Sequence, residues 1–296
     1  MTKMNRKNII GVSFALPAII GFIVFNLVPM ILSGYYSLCE YSIIDTPKFI
    51  GFQNFVNLFN GSAGTFWPAV KATSIYTVLA VPANLIFSFI IAIMLNRNIK
   101  GRTAFRAIFY LPSILPAVAS SFVWILLMNP DFGLFNIILD FLHLPTSKFF
   151  WGKESVIPSI VFMGIWATGP TQVIFLAGLQ NIPKIYYEAI DIDGGNSWHK
   201  FWNVTLPMIS STLFFNLVMG IISAIQVFGQ AYIITEGGPN NSSLFYVYEL
   251  WRQAFKYMDM GLASAMAWIL FLVVLLLTGV VFKTSNKWVY YAGGTE

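Results

Sequence analysis

The chain has 296 residues, of which 57% are hydrophobic, 17% aromatic and only 10% charged, with a net charge of +5. A soluble domain carries about a quarter charged residues, so this composition marks a polytopic membrane protein. One cysteine and two histidines exclude a disulfide framework and argue against a metal cluster, and no G-x-x-x-x-G-K-[ST], G-x-G-x-x-G or H-E-x-x-H run offers a nucleotide or zinc site.

Six stretches reach the length of about 20 apolar residues that a bilayer crossing needs, which predicts an all-α fold of six transmembrane helices in one domain over residues 1–296. The first runs from Ile9 to Leu38 behind the basic residues Lys3, Arg6 and Lys7. It is too long for a cleaved signal peptide and lacks an A-x-A-like site, so it reads as an uncleaved anchor. The core spans follow at Ala72 to Leu95, Ala107 to Met128, Val156 to Ile182, Leu206 to Thr235 and Leu262 to Phe282. Prolines within spans (Pro17, Pro29, Pro82, Pro112, Pro116, Pro158, Pro170) read as kinks.

Basic residues set the topology. Lys3, Arg6, Lys7, Arg97, Lys100, Arg102, Arg106, Lys184, Lys200, Lys283 and Lys287 fall on one side, and Lys48, Lys71, Lys148, Lys153, Arg252 and Lys256 on the other. Eleven against six, the larger set in short loops, places that set and both termini in the cytoplasm. The basic excess is thus a topology signal and not a nucleic-acid footprint. No Asp, Glu, Lys, Arg or His lies within the span boundaries. Proton relays and ion-coupled sites use such groups, so an ion-driven secondary transporter and a membrane-embedded acid–base enzyme are both disfavoured, and the energy for any transport must come from a partner.

Three outer loops are apolar enough for interfacial helices: Lys48–Phe59, Phe132–Pro145 and Ser243–Met258. In the last, Leu244, Val247, Trp251, Ala254 and Met258 recur at helical spacing. Each loop fits either a helix lying over the rim of the bundle or a platform for an external partner.

The cytoplasmic connection over 183–206 concentrates charge: "EAIDIDGGNSWHKFWNVTLP" runs from Glu188 to Pro207. Pro183 suits the first turn of a helix whose face holds Ile185, Ala189 and Ile192. Gly194 or Gly195 ends it in a left-handed turn, and Asn196 or Ser197 starts a second short helix. An interfacial hairpin fits this pattern. A membrane anchor would favour Lys and Arg, however, and the acidic, small-residue composition favours docking of another protein.

Glu188-Ala189, Asp193-Gly194, Phe201 and Leu206-Pro207 match the E-A-A-x-x-D-G-A-x-x-x-x-x-F-x-x-I-x-L-P loop, with Ile190 and Gly195 in place of alanines and Val204 in place of isoleucine. This loop, before the penultimate span, resembles that of the permeases of binding-protein-dependent ABC sugar importers. "LPAIIGFIVFNLVPMILSGYYSL", "FIGFQNFVNLF", "EGGPNNSS" and "AFKYMDMGLASAMAW" are similar to segments of the same group, and closer to the first-named permease of the maltose and glycerol-phosphate systems than to the second. The resemblance implies a type I ABC importer permease fold in a prokaryotic cell membrane. It also implies a second permease, two cytoplasmic ATPases and an extracytoplasmic solute-binding protein, with ATP and Mg held by the ATPases and no cofactor by this chain. The residues matching the loop would then form the coupling helix seated on an ATPase.

In the fifth span Thr212, Asn216, Met219, Ser223, Gln226 and Gln230 fall within an arc of about 80° at about 100° per residue. Trp166, Thr168, Thr171 and Gln172 add polar and aromatic groups in the fourth. Amides and hydroxyls beside an aromatic face suit a sugar, but polar stripes also glue helices together, so pathway and packing both remain open for it. A mono- or oligosaccharide or a polyol is the expected cargo; glycerol phosphate or an acidic saccharide is the alternative within the same family.

Overall fold

The computed structural model describes residues 6–97 and 100–290, with side chains from residue 12 onward. The basic N-terminal cluster (Lys3, and the side chains of Arg6 and Lys7) and both chain termini lie outside the described residues.

Helices dominate. α1 (Arg6–Phe22) continues through a π turn (Ile23–Leu27) into α2 (Val28–Tyr36). The Val12–Tyr36 stretch is membrane-length and buries none of its window inside the chain, so its apolar surface requires a bilayer or a partner. Pro29 lies two residues beyond the π turn; its ring would meet the carbonyl four residues back, and the wider turn relieves that clash. A two-stranded ribbon, β1 (Cys39–Glu40) against β2 (Lys48–Phe49), precedes α3 (Gln53–Phe59). Then come α4 (Phe66–Asn96), α5 (Arg102–Tyr110), α6 (Ala117–Leu127), α7 (Leu134–Phe141), α8 (Val156–Trp166) and α9 (Gly169–Gln180). The 183–206 connection holds α10 (Lys184–Ile192) and α11 (Ser197–Lys200); α12 (Leu206–Met208), α13 (Ser210–Ile225), α14 (Tyr246–Trp251) and α15 (Met260–Ser285) follow.

Three spans are unbroken and three are bent pairs. The expected third span, Ala107 to Met128, is split: Arg102–Ile114 meets Ala117–Leu127 at 99°. Pro112 and Pro116 remove backbone donors there, and α6 alone, at about 1.5 Å per residue, is too short to cross the hydrocarbon core. Pro170 opens α9 after a 52° bend, and Pro207 precedes a 61° bend into α13. The prolines therefore mark the breaks, although Pro17 and Pro82 sit inside helices. The fifth span also ends early. α13 stops at Ile225, Gln226 caps it, and a separate π turn covers Ala231–Thr235.

The chain divides into two compact units. One comprises Met1–Gly64 with Leu250–Leu272, the other Thr65–Glu249 with Val273–Glu296. In the first, Asn54 donates its amide to the Ser37 and Cys39 carbonyls at 3.0 and 2.8 Å, and the Gly261 N–H donates to the Tyr41 carbonyl at 3.0 Å. A Cβ on Gly261 would lie 2.2 Å from the Cys39 oxygen, so only glycine lets α15 start against the ribbon. In the second unit α4 packs against α8, α9 and α13. Phe89 meets Phe175 at 5.3 Å, and a Cβ on Gly178 would lie 2.6 Å from the Thr212 hydroxyl, which shows how closely α9 and α13 approach.

Candidate functional site

The α10–α11 patch is built by its caps. Pro183 occupies the N-cap of α10 and not its first turn. At the other end Gly194 takes φ +74°, and the Gly195 N–H donates to the Ile190 carbonyl at 2.8 Å, closing the helix in a left-handed turn. Asn196 then caps α11: its side-chain oxygen accepts from the Trp198 and His199 N–H groups at 3.0 and 3.1 Å, and the Asn196 N–H donates back to His199 Nδ1 at 3.3 Å. His199 thus fills the role that Glu or Gln usually takes in a capping box. A π turn (Phe201–Thr205) leads to Leu206-Pro207 and repeats the arrangement seen before Pro29.

Charge and apolar surface are both presented outward. Lys200 pairs with Asp191 at 2.6 Å, whereas Glu188 and Asp193 are exposed and have no ion pair among the described residues. Ile185 is 68%, Ile192 86% and Trp198 66% exposed. Ala189 and Pro207 are exposed too, while Phe201 and Leu206 are half-buried; Phe201 reaches Phe89 of α4 at 6.2 Å between ring centres. Glu188 is the fifth residue of α10, not part of its first turn, so the helix dipole does little for it.

A cavity of about 610 Å³ lies within the second unit, between α4, α9 and the broken end of α13. Asn216, Met219, Ser223, Gln226 and Gln230 all line it. These five face one space even though the helix ends at Ile225, because the break still leaves Gln226 and Gln230 on the cavity side, whereas Thr212 at the start of the stripe lies against Gly178 of α9 and off the cavity. Thr171 lines it from α9, but Trp166, Thr168 and Gln172 do not. Trp166 instead packs edge-on against Trp124 at 5.7 Å, and Thr168 and Gln172 are buried off the cavity. Gln172 is 1% exposed, with neither amide atom paired among the described residues. Asn216, nearly as buried, keeps its amide nitrogen unpaired beside the cavity. Tyr76, Asn84 and Phe228 also line it and were not singled out from sequence. Asn84 and Tyr76 lie eight residues apart in α4, a spacing visible only once the inward face of that helix is known. None of the described lining residues is charged.

The chain has clear relatives. The family model described as binding-protein-dependent transport system inner membrane component matches residues 84–289. The probable ABC transporter permease protein YesP of Bacillus subtilis is 40% identical, over 99% of this chain and 96% of its own length. The trehalose/maltose transport system permease protein MalF of Thermococcus litoralis is 31% identical over 95% of each chain. Among solved structures, a chain of a bacterial alginate ABC transporter in complex with an alginate pentasaccharide-bound periplasmic protein superposes with a TM-score of 0.83. It is 24% identical and covers 95% of this chain and 96% of its own, a likeness of fold. The chain belongs to the binding-protein-dependent transport system inner membrane component family.

Proposed function

We propose that the chain is one of two permease subunits of an ATP-driven importer, and that it passes a neutral saccharide or polyol from an extracytoplasmic solute-binding protein into the cytoplasm. ATP and Mg belong to two partner ATPases, which dock on the α10–α11 patch; both termini lie on that side. The observation that carries the cargo reading is the cavity lining: amides, hydroxyls and the rings of Tyr76 and Phe228, with no charged group among the described residues. Sugar hydroxyls need donors and acceptors together, which amides supply. A phosphate or uronate would enter this cavity without a cationic partner from this chain, and an unpaired buried charge is costly.

The test is uptake by the whole complex reconstituted in vesicles. Asn216→Leu and Gln226→Leu should each cut uptake about tenfold, the scale of losing one or two hydrogen bonds to cargo, with complex assembly unchanged. Normal uptake by both variants would reduce the stripe to helix packing. Preferred uptake of a phosphorylated or uronic compound would overturn the neutral-cargo reading.

A further inference from the structure

The segment that opens α14 is more deeply buried than an outer-loop helix needs to be. Leu244 and Phe245 are fully buried, Tyr246 and Tyr248 nearly so, and the carboxylate residue Glu249 has 0% exposure. Two side-chain hydrogen bonds fix this segment to α4 within the second unit. The Tyr246 N–H donates to the Thr73 hydroxyl at 2.7 Å, and Thr65, at the N-cap of α4, donates its hydroxyl to Glu249 Oε1 at 2.5 Å.

Aromatic contacts carry the segment to the cavity. Phe245 packs on Tyr76 with ring centres 5.0 Å apart, and Tyr248 on Phe228 at 6.2 Å. Tyr76 comes from α4 and Phe228 from the broken end of the fifth span, and both line the cavity. Glu249 does not line it, yet it holds the turn that braces two of its walls. An apolar side chain of similar size would pack there without the desolvation cost of a buried carboxyl, so packing alone does not account for a glutamate at this position.

We infer that Glu249 is a positioning residue for cargo passage: its bond to Thr65 seats residues 244–249 so that Phe245 and Tyr248 hold Tyr76 and Phe228 in the spacing that cargo needs. This rests on the reading of the cavity as the cargo pathway.

The experiment uses the assembled importer in vesicles and reads uptake per assembled complex, so that lost assembly is not scored as lost transport. Glu249→Leu keeps the packing and removes the acceptor; Glu249→Gln keeps a side-chain oxygen that Thr65 can still reach. Thr65→Val and Thr65→Ser make the same contrast from the other side. Glu249→Leu and Thr65→Val should each lower uptake per complex about tenfold, and the Gln and Ser variants should stay within about twofold of the parent. The Leu–Val double variant should lose less than the sum of the two single losses, since both changes remove the same Thr65–Glu249 bond. Equal uptake per complex by Thr65→Val and Thr65→Ser overturns the inference, and that pair decides the matter even where Glu249→Leu fails to assemble. Failure of the pathway reading is a separate result: normal uptake by Asn216→Leu and Gln226→Leu, whatever the Thr65 variants do.

Discussion

The α10–α11 patch and the cavity solve opposite problems. The patch is local: within eighteen residues, Pro183 to Lys200, two caps and one left-handed glycine shape an exposed surface. Most of its side chains are exposed, and its hydrogen bonds run between near neighbours in sequence. The cavity is the reverse. Its lining comes from three helices far apart in sequence, and it exists only when α4, α9 and α13 pack together. A change in the patch should therefore act on docking and leave the fold alone, whereas a change behind the cavity acts on the packing of the whole second unit.

The largest effect that breaks this contrast is expected at Gly194. Its φ of +74° costs a residue bearing a side chain about 1–2 kcal/mol. A Cβ there meets nothing within 4 Å, so the strain is conformational and not a clash. Gly194→Val should reduce co-purification of the ATPase and substrate-stimulated ATP hydrolysis. Gly194→Asn, which tolerates the left-handed region, should retain most of both. Insertion of the spans should be unaffected in either variant, because each span closes its own backbone hydrogen bonds. Full assembly and stimulated hydrolysis by Gly194→Val would remove the patch as the coupling element.

A smaller loss is expected at Asn196, whose side chain accepts two of the free N–H groups of α11. Asn196→Ala should destabilise that short helix by about 1 kcal/mol, loosening Trp198 and Phe201, whose rings lie 6.1 Å apart. Asn196→Asp retains the acceptor and should behave like the parent. Hydrogen exchange of the Trp198 and His199 amides checks this directly: faster exchange in the alanine variant alone is the expected result.

The same division explains what could be read in advance. The patch was legible because capping residues, left-handed glycines and the spaced loop motif act through nearest neighbours, and the structure realises them at Gly194 and Asn196. Asn216, Ser223, Gln226 and Gln230 were legible as a stripe because helical periodicity survives the break at Ile225. Trp166 of α8 and Gln172 of α9 stand off the cavity because the rotation of each helix about its axis is set by packing on α4 and by the 52° bend between them, and no local pattern encodes those angles. Tyr76 and Asn84 were missed for the same reason: an apolar helix buried on several sides has no polar face that announces its inward side. Glu249 likewise finds a hydrogen-bond donor in Thr65, 184 positions away in the chain.

Glu188 gives the smallest effect on stability and the sharpest separation of the two regions. From sequence it stands near the start of a helix, where a negative charge gains about 0.3–1 kcal/mol from the dipole. In the structure it is the fifth of nine residues in α10, beyond the turn where that gain operates. Its remaining helical neighbour of opposite charge is Lys184, four residues earlier, and an exposed pair in that order contributes only about 0.2–0.5 kcal/mol. Alanine recovers a similar amount through its higher helix propensity. Glu188→Ala should therefore leave the thermal midpoint of the assembled complex essentially unchanged. If the exposed carboxylate meets donors on an ATPase, the same variant must still lower ATPase co-purification at low salt, and its deficit against the parent must shrink as salt rises because a rim charge pair is screened. Loss of thermal stability with full ATPase retention would reverse the assignment and make Glu188 part of the helix and not of the docking surface.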